Sequence, residues 1–195
     1  MLQPVLITAA APADPVVTRS EAKAHLIVEH TEHDDLIDGL VAAAVARVDG
    51  FNGLLTRCLV TQTWEQSFSA FGDCMLLPLG PVQSISSVKY FDATNVEQTL
   101  ASSVYAMHTG KSGSFLTLAP DQTWPAIYSR IDAVAVEFIA GYGDASAVPQ
   151  DIKHAILMMV GHWYRNRDAV GPGGKTSEVP LGAKALLENY RRISV

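Results

Sequence analysis

The densest set of side chains that could hold a metal or move a proton lies between residues 25 and 35: His25, Glu29, His30, Glu32, His33, Asp34 and Asp35. His30 and His33 could share a helical face, but their spacing matches no zinc motif, and the stretch reads as a solvated acidic connection between two helices. His154 and His162 sit two helical turns apart without the glutamate of an HExxH pair. The run GPGGKTS, residues 171–177, imitates a phosphate loop, yet the pattern needs a glycine where this chain has Ala169. It also needs a strand before it and a helix after it, whereas a helical pattern precedes and Pro180 follows. Ser112 in GKSGS is one residue out of frame for a nucleophile elbow. A triad of scattered Ser, His and Asp residues has no local pattern behind it. Cys58 and Cys74 fall in separate predicted strands without ligand spacing and read as free thiols. Trp64, Trp124 and Trp163 lack interleaved basic residues and read as core or interface aromatics. The sequence therefore predicts no catalytic residue, no metal and no cofactor.

Among the elements that would position any site, the stretch PQDIKHAILMMVGHWYRNRD, residues 149–168, is central. Pro149 suits a first helical turn and Asp151 complements the positive end of the helix dipole, while Arg165 and Arg167 complement the negative end. Ile152, Ile156, Met159 and Trp163 form a core-facing stripe, and Leu157 and Met158 lie outside it. A helix apolar on two faces is either central to a core or partly committed to a subunit interface.

Residues 1–17 hold three prolines and read as an extended arm. Thr18 and Glu21 have capping-box spacing ahead of EAKAHLIV. A second helix is predicted from Asp34 to Phe51, with Ile37, Leu40, Val41, Ala44, Val48 and Phe51 inward and Asp35, Asp38 and Asp49 outward. Ala42, Ala43, Ala44 and Ala46 make it slim enough for another helix to approach closely. From Leu59 to Tyr142 the period changes to that of strands: LVTQTWEQSF, CMLLPL, SISSVKYFD, VYAMHT, SFLTLA and AVAVEFIAGY, separated by turn residues. After residue 168 a flexible loop is expected, then a short helix in LGAKALLENYRR with Leu186, Leu187 and Tyr190 on its contact side.

The predicted fold is α+β: one domain in which a helical bundle carries an inserted small antiparallel β lobe. Its parts are an arm (1–17), N-terminal helices (18–53), the β lobe (56–142), the central helix (149–168) and a loop with a C-terminal segment (169–195). With 195 residues, 48% of them apolar, the chain can build a core without staples. No apolar run approaches a membrane span, and the first ten residues lack the charged start of a signal peptide, so a cytosolic, membrane-free protein is expected. The net charge of −6 is uneven: residues 1–50 carry three Lys/Arg against eight Asp/Glu, residues 51–148 four against eight, and residues 149–195 seven against four. An acidic body argues against a sequence-reading nucleic-acid module, and a basic C-terminal end suggests an acidic protein partner.

TRSEAKAHLIVEHTEHDDLIDGLVAAAVARVDGFNGLLTRCLVTQTWEQSF near one end and AGYGDASAVPQDIKHAILMMVGHWYRNRDAV near the other, followed by LGAKALLENYR, resemble the head-tail connector (adaptor) proteins of tailed bacteriophages, prophages and gene transfer agents. The β-rich insertion resembles the longer members. The resemblance implies a structural virion protein without catalysis. Such a protein forms a homo-oligomeric, twelve-fold ring beneath the portal protein, extends the DNA channel and presents a surface to the next neck or tail protein. DNA would pass through it without sequence-specific binding, and an acidic lumen would avoid retarding the duplex. Assembly in the bacterial host cytoplasm and residence in the virion neck follow from the same resemblance. The expected subunit interface uses Ala42, Ala43, Ala46, Leu157 and Met158. The expected portal-docking tail uses Leu186, Leu187, Tyr190, Arg191 and Arg192; the alternative is that this helix folds back onto the core. Rival readings are a small hydrolase or isomerase with a site between sheet and helices, or another neck component such as a stopper or tail-completion protein.

Overall fold

The computed structural model describes residues 2–9, 15–110, 113–167 and 180–192. Its elements in chain order are β1 (Val5–Thr8), α1 (Arg19–Leu26), α2 (Asp34–Val48), β2 (Gln62–Phe68), β3 (Met75–Leu76), β4 (Val82–Phe91), β5 (Glu97–Thr99), β6 (Tyr105–Gly110), β7 (Gly113–Leu118), β8 (Val134–Ala140), α3 (Gln150–Arg165) and α4 (Leu181–Glu188). The architecture is α+β. The expected antiparallel β lobe consists of two sheets, ordered β1-β2-β8-β4-β5 and β3-β7-β6, and the larger recruits its edge strand β1 from the arm.

Helix starts follow local chemistry. Thr18 and Glu21 form the reciprocal capping box that satisfies the first free N–H groups of α1. Pro149 stands at the N-cap position of α3, immediately before its first turn, and Ile152, Ile156 and Met159 are completely buried along one face of the helix. They meet Ile37, Val41, Ala44 and Val48 of α2, with Val16, Val17, Leu55, Leu59, Ala183 and Leu187 closing this helical core. A second core, around Trp64, Met75, Leu77, Val88, Leu116, Val136 and Phe138, lies among the strands. Alternation along β8 explains it: Val134, Val136, Phe138 and Ala140 are buried, and the residues between them are not.

The α2 helix ends at Val48, three residues before the predicted stop, and Asp49 is not on a solvent face. Its Oδ1 accepts from the Leu59 N–H (2.6 Å) and its Oδ2 from Gln62 Nε2 (2.8 Å), while Gln62 Oε1 accepts from Trp64 Nε1 (3.0 Å). This chain of bonds ties the end of α2 to β2. Burial pushes the Asp49 carboxyl above the usual range despite those donors. Periodicity alone could not reveal it, because the partners lie ten and more residues onward. The missed strand β5 pairs with Lys89–Phe91. Gly141 (φ +136°) lets the chain leave β8 against the Val60 carbonyl, where a Cβ would collide.

The turn between β4 and β5 carries a pH prediction. Asp92 accepts from the Thr94 hydroxyl (2.6 Å), Gln98 Nε2 (2.9 Å) and the N–H groups of Val96 (3.1 Å) and Thr94 (2.9 Å). These donors, the Thr94 hydroxyl first, hold its pKa down to about 2. The unfolded value is about 3.9, so the turn's contribution is complete above that value and disappears as pH falls toward about 2. Carboxyl-detected NMR should show Asp92 titrating near pH 2; a midpoint at an ordinary aspartate value would contradict the geometry.

Candidate assembly surfaces

The exposed side of α2 is made of small residues. Gly39, Ala42, Ala43 and Ala46 are all solvent-exposed and recur at spacings of three and four, and nothing lies within 4 Å of where a Gly39 Cβ would be. The opposite side of the helix, with Ile37, Val41, Ala44 and Val48, holds the core, so core packing does not explain these exposed alanines. The acidic residues at the helix start are engaged: Lys23 Nζ lies 2.7 Å from Asp34 Oδ1, and Arg19 pairs with Asp34 (3.4 Å) and with Asp38. Those pairs fasten α1 to α2, and the Arg19 bond draws the Asp38 pKa down.

The second face of α3 is less bare than its sequence suggested. Leu157 and Met158 are partly buried against the helical core, and α4 crosses at Met158, where a Cβ on Gly182 would come within 2.6 Å of the Met158 Cε. Met158 therefore faces the chain's own last helix at that point. An intermolecular role for it would have to coexist with that contact.

The free docking tail expected for Leu186, Leu187, Tyr190, Arg191 and Arg192 is a docked segment here. Ala183 and Leu187 are 0% and 4% exposed, and Leu186 and Tyr190 pack on the same core. Tyr190 Oη donates to Asp151 Oδ2 (3.0 Å), and Arg57 Nε donates to the Tyr190 carbonyl (2.5 Å). The Arg192 N–H donates to the Leu55 carbonyl (3.2 Å) and its Nη1 to the Leu77 carbonyl (2.6 Å), so this arginine joins the helical core to the strand lobe. Burial, with Arg57 nearby, lowers its pKa. Arg191 remains exposed. The physical reason is the amphipathic pattern itself: an apolar side next to an incompletely covered α3 is buried in cis before any partner arrives. The proposed loop of Gly171, Pro172, Gly173 and Gly174 lies outside the described residues.

The residues considered for chemistry are dispersed. His33 Nδ1 lies 2.6 Å from Tyr164 Oη, His30 and His33 rings meet edge to face at 4.7 Å, and His25 and His154 do so at 5.9 Å. Among the described residues no three His, Cys, Asp or Glu side chains gather as a metal site. Cys58 is buried, which pushes its pKa up to about 12, and Cys74 is exposed. One depression of about 210 Å³ is lined by Leu2, Ser67, Phe68, Ser69, Ala70 and Ile131, without a titratable group. Among the described residues no helix is long and apolar enough to cross a membrane.

A family model described as head completion protein matches residues 16–193. The chain belongs to that family. Its match starts at the end of the arm, beyond β1, and runs through α4, so the helical core, strands β2 to β8 and the docked last helix all fall within the head completion protein pattern. No curated protein matches the chain. Among solved structures, a chain in the neck of an empty gene transfer agent (GTA) particle computed with C6 symmetry superposes with a TM-score of 0.77 at 22% identity, covering 100% of this chain and 97% of that one. A chain of the virion of a native GTA particle gives 0.77 at 23%, with the same coverage. A chain in the neck of a native GTA particle computed with C12 symmetry gives 0.71 at 21%, again covering 100% and 97%. At such identities the likeness establishes the shared fold, including the strand lobe between the helices.

Proposed function

We propose that this head completion protein is a structural component of the virion neck, assembling as a ring adaptor between the portal protein and the next neck or tail protein and extending the DNA channel. The observation that carries the reading is the family match over residues 16–193, joined to an end-to-end fold match with neck chains of GTA particles. The acidic balance of the first 148 residues suits a wall along which a duplex slides without being held. Self-association uses the exposed small-residue side of α2, at Ala42, Ala43 and Ala46, and the part of the α3 second face around Leu157 that α4 leaves accessible.

Portal docking is assigned to the outer side of the C-terminal segment in its packed form. Leu181, Lys184 and Arg191 are exposed there, while Leu186, Leu187, Tyr190 and Arg192 hold the segment on the body. A double charge reversal, Lys184→Glu with Arg191→Glu, should leave the melting temperature unchanged and weaken binding to purified portal at least tenfold in a sedimentation or surface-binding assay. Undiminished binding would remove the C-terminal segment from the portal contact. Particles produced without this chain should be heads lacking tails, and normal tailed particles would overturn the neck assignment itself.

A further inference from the structure

Strand β1 is built differently from every other strand of the larger sheet. Val5, Leu6 and Ile7 are 55%, 43% and 51% exposed, so three consecutive apolar residues meet solvent on both faces of an edge strand. An exposed apolar edge is an aggregation hazard that proteins ordinarily blunt with charge or proline, and this strand has neither within it. No residue from 2 to 8 belongs to either core. The arm is held through its main chain, by pairing Val5 with Glu65 and Leu6 with Trp64, and by the completely buried Gln66, whose Nε2 donates to the Leu2 carbonyl (2.8 Å). The acceptor is thus the β2 edge, with the Gln66 amide, buried once the arm is seated, as its anchor. The strand that fills it makes no side-chain claim on its own core.

From this we infer that the β2 edge is a strand-exchange site whose occupant in the assembled ring is segment 2–8 of a neighbouring copy. The inference rests on the ring reading given above. In a head-to-tail ring each copy meets its neighbours through two different surfaces, and an exchanged element needs no new complementarity because its seat already fits it. An arm lying across the boundary would have its outward face covered by the neighbour, which accounts for Val5, Leu6 and Ile7 being apolar on both sides. Leu2 and the 67%-exposed Ile131 line the adjoining depression and extend that apolar strip. Residues 9–15, AAAPADP, join the arm to the capping box. Seven residues span at most about 25 Å when extended, which sets how near the seat on an adjacent copy must lie for exchange to occur.

A cysteine pair across the strand boundary distinguishes the two arrangements. Val5→Cys with Glu65→Cys, in a Cys74→Ser background, places two thiols at directly opposed positions. Thr8→Cys with Thr63→Cys is an independent second pair, should the first impair folding. Particles assembled with either variant are oxidised and run on a denaturing, non-reducing gel, and electron microscopy scores the rings. Exchange predicts that most of the chain migrates as a ladder of covalent multimers. It also predicts that an equimolar mixture of the two single-cysteine chains, co-assembled, yields disulfide-linked dimers. Intact rings that give only an internally bridged monomer overturn exchange and leave the neck assignment standing. Absence of rings overturns the ring reading and exchange with it.

Discussion

Leu187→Ala should lower the stability of the folded chain by about 3 kcal/mol, because deleting a fully buried leucine forfeits its transfer free energy and leaves a cavity that relaxes only partly. Leu187 is 4% exposed and sits with Ala183, Ile152, Ile156 and Met159 in the helical core. In a chain of this size that corresponds to a melting temperature lower by roughly 6–12 °C, measurable by calorimetry or circular dichroism. Truncation after Val170 should do more, since it also removes the Tyr190 bond to Asp151 and the Arg192 bonds to the Leu55 and Leu77 carbonyls. The expected product is insoluble, or melts well below the single mutant. A truncated chain with an unchanged transition would show that α4 is an accessory tail and that its burial contributes nothing to the fold.

The second large effect concerns assembly and leaves folding alone. Ala43→Arg combined with Ala46→Arg puts two long charged side chains on the exposed side of α2, where neither meets the core. Arginine is close to alanine in helix propensity, and exposed substitutions usually change stability by no more than about 0.5 kcal/mol, so the monomer should melt normally. Ring formation should be abolished, because a neighbour that approaches a helix across small residues cannot do so across two guanidinium groups. Mass measurement over a concentration series, with and without portal, together with electron microscopy of particles, reads the result. Rings of normal diameter in the double mutant would place the subunit contact elsewhere.

The sequence by itself determined the elements whose signals are local. The capping box at Thr18 and Glu21, the apolar stripe of α3 and the turn residues that divide the strands each act within a few residues, and the structure shows them where the pattern put them. The family was legible too, because two long blocks in fixed order carry it. The tertiary structure decided what depends on partners distant in sequence. Periodicity marked Asp49 as a solvent residue, but Leu59 and Gln62 draw it inward. An apolar side on LGAKALLENYRR is equally consistent with a docking tail or a packed helix; proximity to Met158, Asp151, Leu55 and Leu77 made it a packed one here. Likewise the arm read as extended chain, and only the free edge of β2, with Gln66 buried beside it, made four of its residues a strand. Amphipathic patterns record that a face must be covered, whereas the identity of what covers it is fixed by which surfaces the fold leaves open nearby.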